Sequence, residues 1–369
     1  MELQTQFNQI LLLIKEARLQ AYRAANQQLV HLYWQIGGYI SHRTQTEDWG
    51  KNTVQQLAVF LQRSEPGVKG FSDKNLWRMK QFFETYRDTP ILASTRRELH
   101  NTEKLASLRR LSGSGKKQPA TPSQDTIPDL DNSLLTQLSW THHRTIFGSC
   151  KTPEERAFYI RLSVQDRYSV RELERQLNSS VYERTMLSSQ KLTPLVTHLS
   201  EPFSAPFKDR YIFEFLQLPR DHSENELQKA IIANLKQFLL EFSRDFAFVG
   251  EEVPLQVGSK DFELDLLFFN RAINCLVAIE LKVVDFVPEH LGKLNFYLEA
   301  LDRDVKKPHE NPSIGLLLCK AKDDEVVEYT LSRQLSPAMV AEYQLHLPDK
   351  KLLQQKLHEL FELNKPEEP

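Results

Sequence analysis

Apolar residues recur at three- and four-residue steps from the start of the chain: Phe7, Ile10, Leu11, Ile14, Ala17, Ala21, Ala25, Leu29, Leu32, Ile36 and Ile40. That period predicts one long amphipathic helix over about the first forty residues. Gly37-Gly38 near its end marks either close packing or the stop. A second helix is predicted over about 50–62, closed by Pro66-Gly67. Ser72 caps a third, with Leu76, Trp77, Met79, Phe82, Phe83 and Tyr86 on its apolar side and Arg78 and Lys80 off it. Trp34 and Trp77 read as helix core.

Periodicity stops over 109–133, a stretch holding Gly113, Gly115, Pro119, Pro122 and Pro128, which reads as a flexible linker or loop. Helical signals return after Trp140-Thr141-His142-His143. Thr152-Pro153-Glu154-Glu155 and Ser169-Val170-Arg171-Glu172 have the form of capping boxes. The second opens a helix with Leu173 and Leu177 inward and Arg171 and Arg175 outward. Two helices joined by a short turn, the second bearing arginines, fit a DNA-reading helix-turn-helix; the same pattern also describes a plain packed pair. His142 and His143 lack a third metal ligand at suitable spacing and read as packing or polar contacts.

From Glu226 the texture changes. A helix carrying Leu227, Ile231, Leu235, Phe238, Leu239 and Phe242 precedes a short buried strand, Phe246 to Gly250. Two apolar runs follow, Phe262–Phe269 and Cys275–Lys282, joined by a polar turn, then a helix from about Pro288 and a strand from Ile314 to Cys319. Val340 to Leu347 alternates as a late strand, and Leu352, Leu353, Leu357 and Leu360 mark a terminal helix. The fold class is therefore α + α/β: a helical amino-terminal domain followed by an α/β domain with a central mixed sheet flanked by helices. The boundaries expected are 1–108 helical, 109–133 linker, 134–219 helical within the same domain, and 220–369 α/β.

Composition adds little that is unusual: 40% hydrophobic and 26% charged residues are those of an ordinary soluble protein. No apolar run approaches the ~18 residues of a membrane span, and residues 1–9 lack the order of a signal peptide. Cys150, Cys275 and Cys319 are dispersed, which fits buried thiols in a reducing cytoplasm. Residues 1–219 carry 29 Lys/Arg against 22 Asp/Glu, and residues 220–369 carry 18 against 27. A basic part beside an acidic part suits a chain that meets phosphates with one and a metal with the other; ordinary scatter gives the same numbers.

The candidate chemistry lies in the paired apolar runs. Glu280 and Lys282 project from one side of a strand. A hairpin turning symmetrically at Ala272–Ile273 places Asp265 opposite Glu280, with Cβ atoms roughly 5 Å apart. Two carboxylates and an ammonium at that spacing can hold a hard divalent cation and the water it activates, the chemistry of phosphodiester hydrolysis. The Leu281 carbonyl is a third candidate oxygen, and so sparse a set suits Mg²⁺, with Mn²⁺ as a substitute. The competing account makes Glu280–Lys282 an exposed salt bridge. Charges interrupting otherwise buried runs favour a partner inside.

The stretches "DFELDLLFFNRAINCLVAIELKVVDFVPEHLGKLNFYLEALD" and "NPSIGLLLCKAKDDEVVEY" resemble the nuclease domain of the bacterial YhcG-type family, within the PD-(D/E)XK superfamily. The first half resembles the same family's partner domain through "LYWQIGGYI", "GFSDKNLWRMKQFF", "LSWTHH", "RAFYI" and "VRELERQLNSSVYERTMLS". The resemblance covers nearly the whole chain outside 109–133. It implies that Asp265, Glu280 and Lys282 are the catalytic acid and E-x-K positions, that the sheet is mixed, and that Mg²⁺ is required. Three positions depart from the family's pattern: Gln228 stands where an acid is usual, Lys293 where Gln is usual, and Gly250-Glu251-Glu252 where relatives read Gly-Arg-Gln. Glu226 lies about 200° around the helix from Gln228 and is poorly placed to substitute.

The expectation is a cytoplasmic, Mg²⁺-dependent nuclease acting on DNA, with RNA not separable from it and no membrane partner; a homo-oligomer is admitted. Lys293, Tyr297 and Gln228 are second-tier candidates for the site wall, and Arg171, Arg175, Arg78 and Lys80 for nucleic-acid contact. The alternative is a degenerate nuclease domain that binds nucleic acid or a protein without cutting.

Overall fold

A computed structural model describes residues 2–46, 49–89, 91, 130, 133–187, 207–332, 334 and 336–363. The chain divides into two units, residues 1–177 and 178–369.

The first unit is helical. Helix α1 runs Glu2–Thr46, α2 Lys51–Ser64 and α3 Asp73–Tyr86. A 3-10 turn at Leu134–Gln137 leads to α4 (Trp140–Ser149), α5 (Pro153–Gln165) and α6 (Val170–Asn178). Ser72 caps α3 as its position predicts, accepting from the Asn75 amide. The core is aromatic: Trp34 of α1 packs its ring 5.5 Å from Phe82 and 4.7 Å from Phe83 of α3, and Phe82 meets Trp140 of α4 at 5.5 Å. Burying side chains of this kind stabilises by roughly 1.5–3 kcal/mol each. Gly37 marks close packing rather than a stop, since α1 continues nine residues past it. A Cβ there would stand 2.1 Å from the Met79 carbonyl oxygen, so α1 and α3 approach through this glycine.

Three expectations for this unit need correction. At Thr152 the capping is one-sided: its hydroxyl accepts from the Glu155 amide, but the Glu155 carboxylate turns to the Lys151 amide. Ser169 and Glu172 do form the reciprocal box. The stretch 109–133 lies mostly outside the described residues, yet Leu130 and Ser133 at its end are buried in the unit rather than loose. And although α1 is continuous, residues 6–25 of it are exposed on every side; its packing begins near Asn26, whose Nδ2 donates to the Leu138 carbonyl at 3.0 Å.

The second unit holds α7 (Val181–Leu187), β1 (Arg210–Ile212), α8 (Glu224–Ala233), α9 (Leu235–Phe242), β2 (Phe246–Val257), β3 (Lys260–Asn270) and β4 (Cys275–Leu281). It continues with α10 (His290–Ala300), which ends in a π-turn at Leu301–Val305, then β5 (Asn311–Cys319), α11 (Asp324–Leu331), β6 (Ala338–Gln344) and α12 (Lys350–Leu363). One six-stranded mixed sheet has the order β1-β6-β5-β4-β3-β2. Its β2–β3 and β3–β4 pairs are antiparallel and the others parallel. Strand β4 is buried along its whole length, as a strand covered on both faces must be. Val277, Ile279 and Leu281 pack in the layer of α8 and α9, while Leu276 and Ala278 pack under α10. A Cβ on Gly315 would stand 2.8 Å from Leu294, so the bare backbone of β5 admits α10 onto the sheet.

Strand β1 was not foreseen: three residues give no period, and what makes them a strand is parallel pairing with β6, over a hundred residues later. The sheet unit accordingly begins well before the boundary expected at 219/220. Among the described residues no helix is long and apolar enough to cross a membrane.

Candidate active site

The β3–β4 hairpin turns where symmetry predicts, with Asn270 paired to Cys275 and Leu266 to Ile279. Extending that register by one residue sets Asp265 against Glu280. There the β3–β4 pairing ends while β3 continues with β2. The strands bend at this point. Glu252, across from Asp265 on β2, has φ +46°, and Leu264 packs toward α10 although Leu266 packs toward α8 and α9. A kink of this kind re-aims side chains at a sheet's rim. It brings Oδ2 of Asp265 to the Leu281 amide, which donates to it at 2.7 Å.

Glu280 is fully buried, 0% exposed, on the α10 face. Its Oε1 accepts from Lys282 Nζ at 3.1 Å and from Lys293 Nζ, on α10, at 2.8 Å. Its Oε2 is buried and meets no hydrogen-bond donor among the described residues. The exposed salt-bridge account therefore fails: the carboxylate is inside, and Lys282 itself is only 15% exposed. Lys282 also donates to Glu224 Oε2 at 3.1 Å and to the Leu281 carbonyl at 3.0 Å.

The electrostatics follow from this crowding. Burial, and then the neighbouring Glu280, push the Asp265 carboxyl up to about 6, against the opposing Leu281 amide. Burial pulls Lys282 down, but Glu280 and Glu224 outweigh it and hold it above the ordinary lysine value. Lys293 is likewise held well above its ordinary value, since Glu280 outweighs burial. Both ammonium groups are thus charged at neutral pH.

The second-tier residues gather here as well. Gln228 of α8 donates from Nε2 to the Asp265 carbonyl at 3.1 Å, a bond that a carboxylate at this position could not make. Tyr297 donates to the Glu263 carbonyl at 2.7 Å, and Lys293 Nζ lies 5.2 Å from its ring centroid. Glu226 is engaged in the capping box of α8 with Ser223. Glu251 and Glu252 are exposed on β2. Sequence reasoning missed Glu224; the Ser223 cap, which fixes the helix start and puts Glu224 in its first turn, was the available signal. The loop after Lys282 opens a shallow cleft of about 450 Å³ lined by Val283, Val284, Asp285, Val287, His290 and Lys320.

Asp265, Glu280 Oε2 and the Leu281 carbonyl are the oxygens that could hold a metal ion. Among the described residues no group of three or more His, Cys, Asp or Glu side chains is arranged to hold one. A two-carboxylate set still fits a small hard cation, which takes one or two carboxylates and completes its shell with water and substrate phosphate. A buried oxygen without a donor is the feature such an ion would satisfy.

The nucleic-acid candidates belong to the first unit. Arg171 is exposed and Arg175 half-buried on α6; Arg78 is half-buried on α3. Lys80 pairs with Glu84 at 2.8 Å and lies over the Trp77 ring. His142 bonds Ser139 and the Tyr168 carbonyl, and buried His143 bonds the Leu135 carbonyl, so both hold the helical unit together.

Comparison with known proteins assigns the two halves. Residues 204–358 match the family described as the YhcG PDDEXK nuclease domain, and residues 9–118 and 126–184 match the DUF1016 N-terminal domain. A relative in Escherichia coli (strain K12), "Putative nuclease YhcG", is 32% identical over 362 residues, 94% of this chain and 92% of that one. The chain belongs to the YhcG family. A solved structure described as a repair endonuclease from Pyrococcus abyssi aligns with 16% identity and a TM-score of 0.23, over 35% of this chain and 50% of that one. In this YhcG-family chain, Asp265, Glu280 and Lys282 all fall inside the residues matched to the nuclease domain.

Proposed function

We propose that the protein is a divalent-metal-dependent nuclease that hydrolyses phosphodiester bonds in DNA, acting in the cytoplasm, with its helical unit contributing nucleic-acid or partner binding. The observation that carries this reading is Glu280: a fully buried carboxylate with one oxygen held by two lysines and the other without a donor, beside a second carboxylate whose proton affinity is raised. Asp265, Glu280 Oε2 and the Leu281 carbonyl would hold the ion, Mg²⁺ or Mn²⁺. Bound there, it supplies an activated water and neutralises charge on the scissile phosphate.

The two lysines divide the remaining work. An ammonium has three donors. Those of Lys282 are engaged by Glu280, Glu224 and the Leu281 carbonyl, so Lys282 braces the carboxylate and the carbonyl in position. Lys293 is 48% exposed and is engaged by Glu280 and the Tyr297 side chain, which leaves it a donor to offer a phosphate. Gln228 fixes the Asp265 backbone, and with Tyr297 it forms the wall of the site. The cleft after Lys282 is where the next nucleotide would lie. Arg78, Lys80, Arg171 and Arg175 are the proposed contacts of the helical unit.

The second reading, a binding module that does not cut, draws on one observation: the lysines already compensate Glu280 without a metal. A magnesium-supplemented assay on plasmid, linear and single-stranded DNA and on RNA, run beside Glu280→Gln, separates the two. Metal-dependent cleavage lost in the variant supports the nuclease. Cleavage that persists in folded Glu280→Gln overturns the site, and binding without cleavage by the parent selects the second reading.

A further inference from the structure

Among the described residues, the first half of α1 packs against nothing in its own unit. Eight large apolar residues between Phe7 and Tyr22 are 45–70% exposed, with Leu13 at 65% and Tyr22 at 70%. They surround the helix, and Phe7, Ile10 and Ile14 share one face with Ala17, Ala21 and Ala24. Most helix stability in proteins comes from packing of an apolar face, which this segment lacks among the described residues.

We propose that the packing surface is a second copy of this chain, and that two α1 helices pair antiparallel about a two-fold axis near residue 12. The sequence is self-complementary in that arrangement. Read as heptads, Phe7, Ile14 and Ala21 occupy one inner position and Ile10, Ala17 and Ala24 the other. An antiparallel pair centred at residue 12 sets Phe7 against the partner's Ala17 and Ile10 against the partner's Ile14, large facing small and medium facing medium. A parallel pair would instead stack Phe7 on Phe7 and leave hollow layers at the alanines, which packs poorly. Lys15, Arg18 and Arg23 all fall outside the inner positions, so the seam buries no charge.

The geometry leaves room for the helical unit of each copy. Packing of α1 into its own unit starts at Asn26, fourteen residues or about 21 Å along the helix from the proposed axis. The two helical units therefore lie at opposite ends of the helix pair. An interface of this type uses the same patch on both copies, the commonest form of assembly. The inference does not depend on the nuclease reading.

Sedimentation of the full chain at tens of micromolar tests it, beside the doubly substituted Ile10→Asp, Ile14→Asp protein. The parent is expected at twice 43.0 kDa and the variant at 43.0 kDa, with the far-UV spectrum of the rest of the chain retained. A monomeric parent overturns the proposal, as it would if residues 92–129 covered α1 within one chain. A dimer that survives both aspartates also overturns it, because the interface would then lie elsewhere. Oxidising a mixture of Phe7→Cys and Ala17→Cys proteins gives the register: a mixed disulfide supports the antiparallel pair, and Phe7→Cys linked to itself overturns it.

Discussion

Two regions of this molecule reverse the usual sorting of side chains. At the end of the β3–β4 hairpin a carboxylate is buried and an ammonium half-buried among apolar side chains. Along residues 6–25 of α1, leucines and isoleucines stand exposed. The first reversal is largely compensated inside its own unit, because Lys282 and Lys293 neutralise Glu280 and only Oε2 lacks a donor. The second is not compensated by any of the described residues of the helical unit. The two reversals suit different ligands: a buried charge with one oxygen left open fits a small ion, and a long exposed apolar face fits an extended surface.

Four measurements would break or sharpen that contrast. The largest effect is expected at the buried end. Glu280→Gln keeps the shape and removes the charge, and cleavage should fall by at least about 10²–10³, the cost of losing one preorganised electrostatic group. A variant that cuts within tenfold of the parent would show that Glu280 is merely structural.

Next is the pH dependence of stability without divalent ions. Asp265 has its folded value at about 6, above an unfolded value near 3.9. The folded state thus holds this proton more tightly, so the stability it contributes is complete below about pH 4 and is lost as pH rises through 6. The amount is a few kcal/mol at most. Thermal melts in EDTA across pH 4.5–8 should show the parent losing this increment and Asp265→Asn not losing it. Added Mg²⁺ should offset the loss above pH 6, where the carboxylate is ionised; parallel slopes for parent and variant would remove Asp265 from the account.

A smaller effect is expected for Lys293→Ala: several-fold weaker DNA binding in EDTA, with the slope of log affinity against log salt reduced by about one. Lys282→Ala should instead lower kcat with little change in KM. The reverse assignment would exchange the two lysines' roles. The smallest effect belongs to α1. Measured on the dissociated chain, Ile10→Asp should change unfolding stability by no more than about 0.5 kcal/mol, whereas Phe82→Ala in the same unit should cost about 3–5 kcal/mol.

The hairpin was legible in the sequence because its signals are local: strand alternation, a symmetric turn and charges inside apolar runs together predict which residues meet. The caps at Ser72 and Ser169 were legible for the same reason. Strand β1 was not, since Arg210–Ile212 becomes a strand only through pairing with residues 342–344. Glu224 escaped notice because its partner, Lys282, is 58 residues away. The exposure of residues 6–25 was hidden by their very regularity, as a three- and four-residue period reports an amphipathic face without saying whether its own unit covers it.

The separation between Glu224 and Lys282 also bears on when the molecule becomes competent. The candidate centre draws on α8, β3, β4 and α10, and β4 is held on its far side by β5. Pairings this distant in sequence form slowly, after the local hairpin and helices. A chain interrupted during synthesis before Asn311 has no strand to close the sheet beside Glu280, and so carries the right residues without the right geometry. The candidate centre would then take its geometry only with the finished sheet.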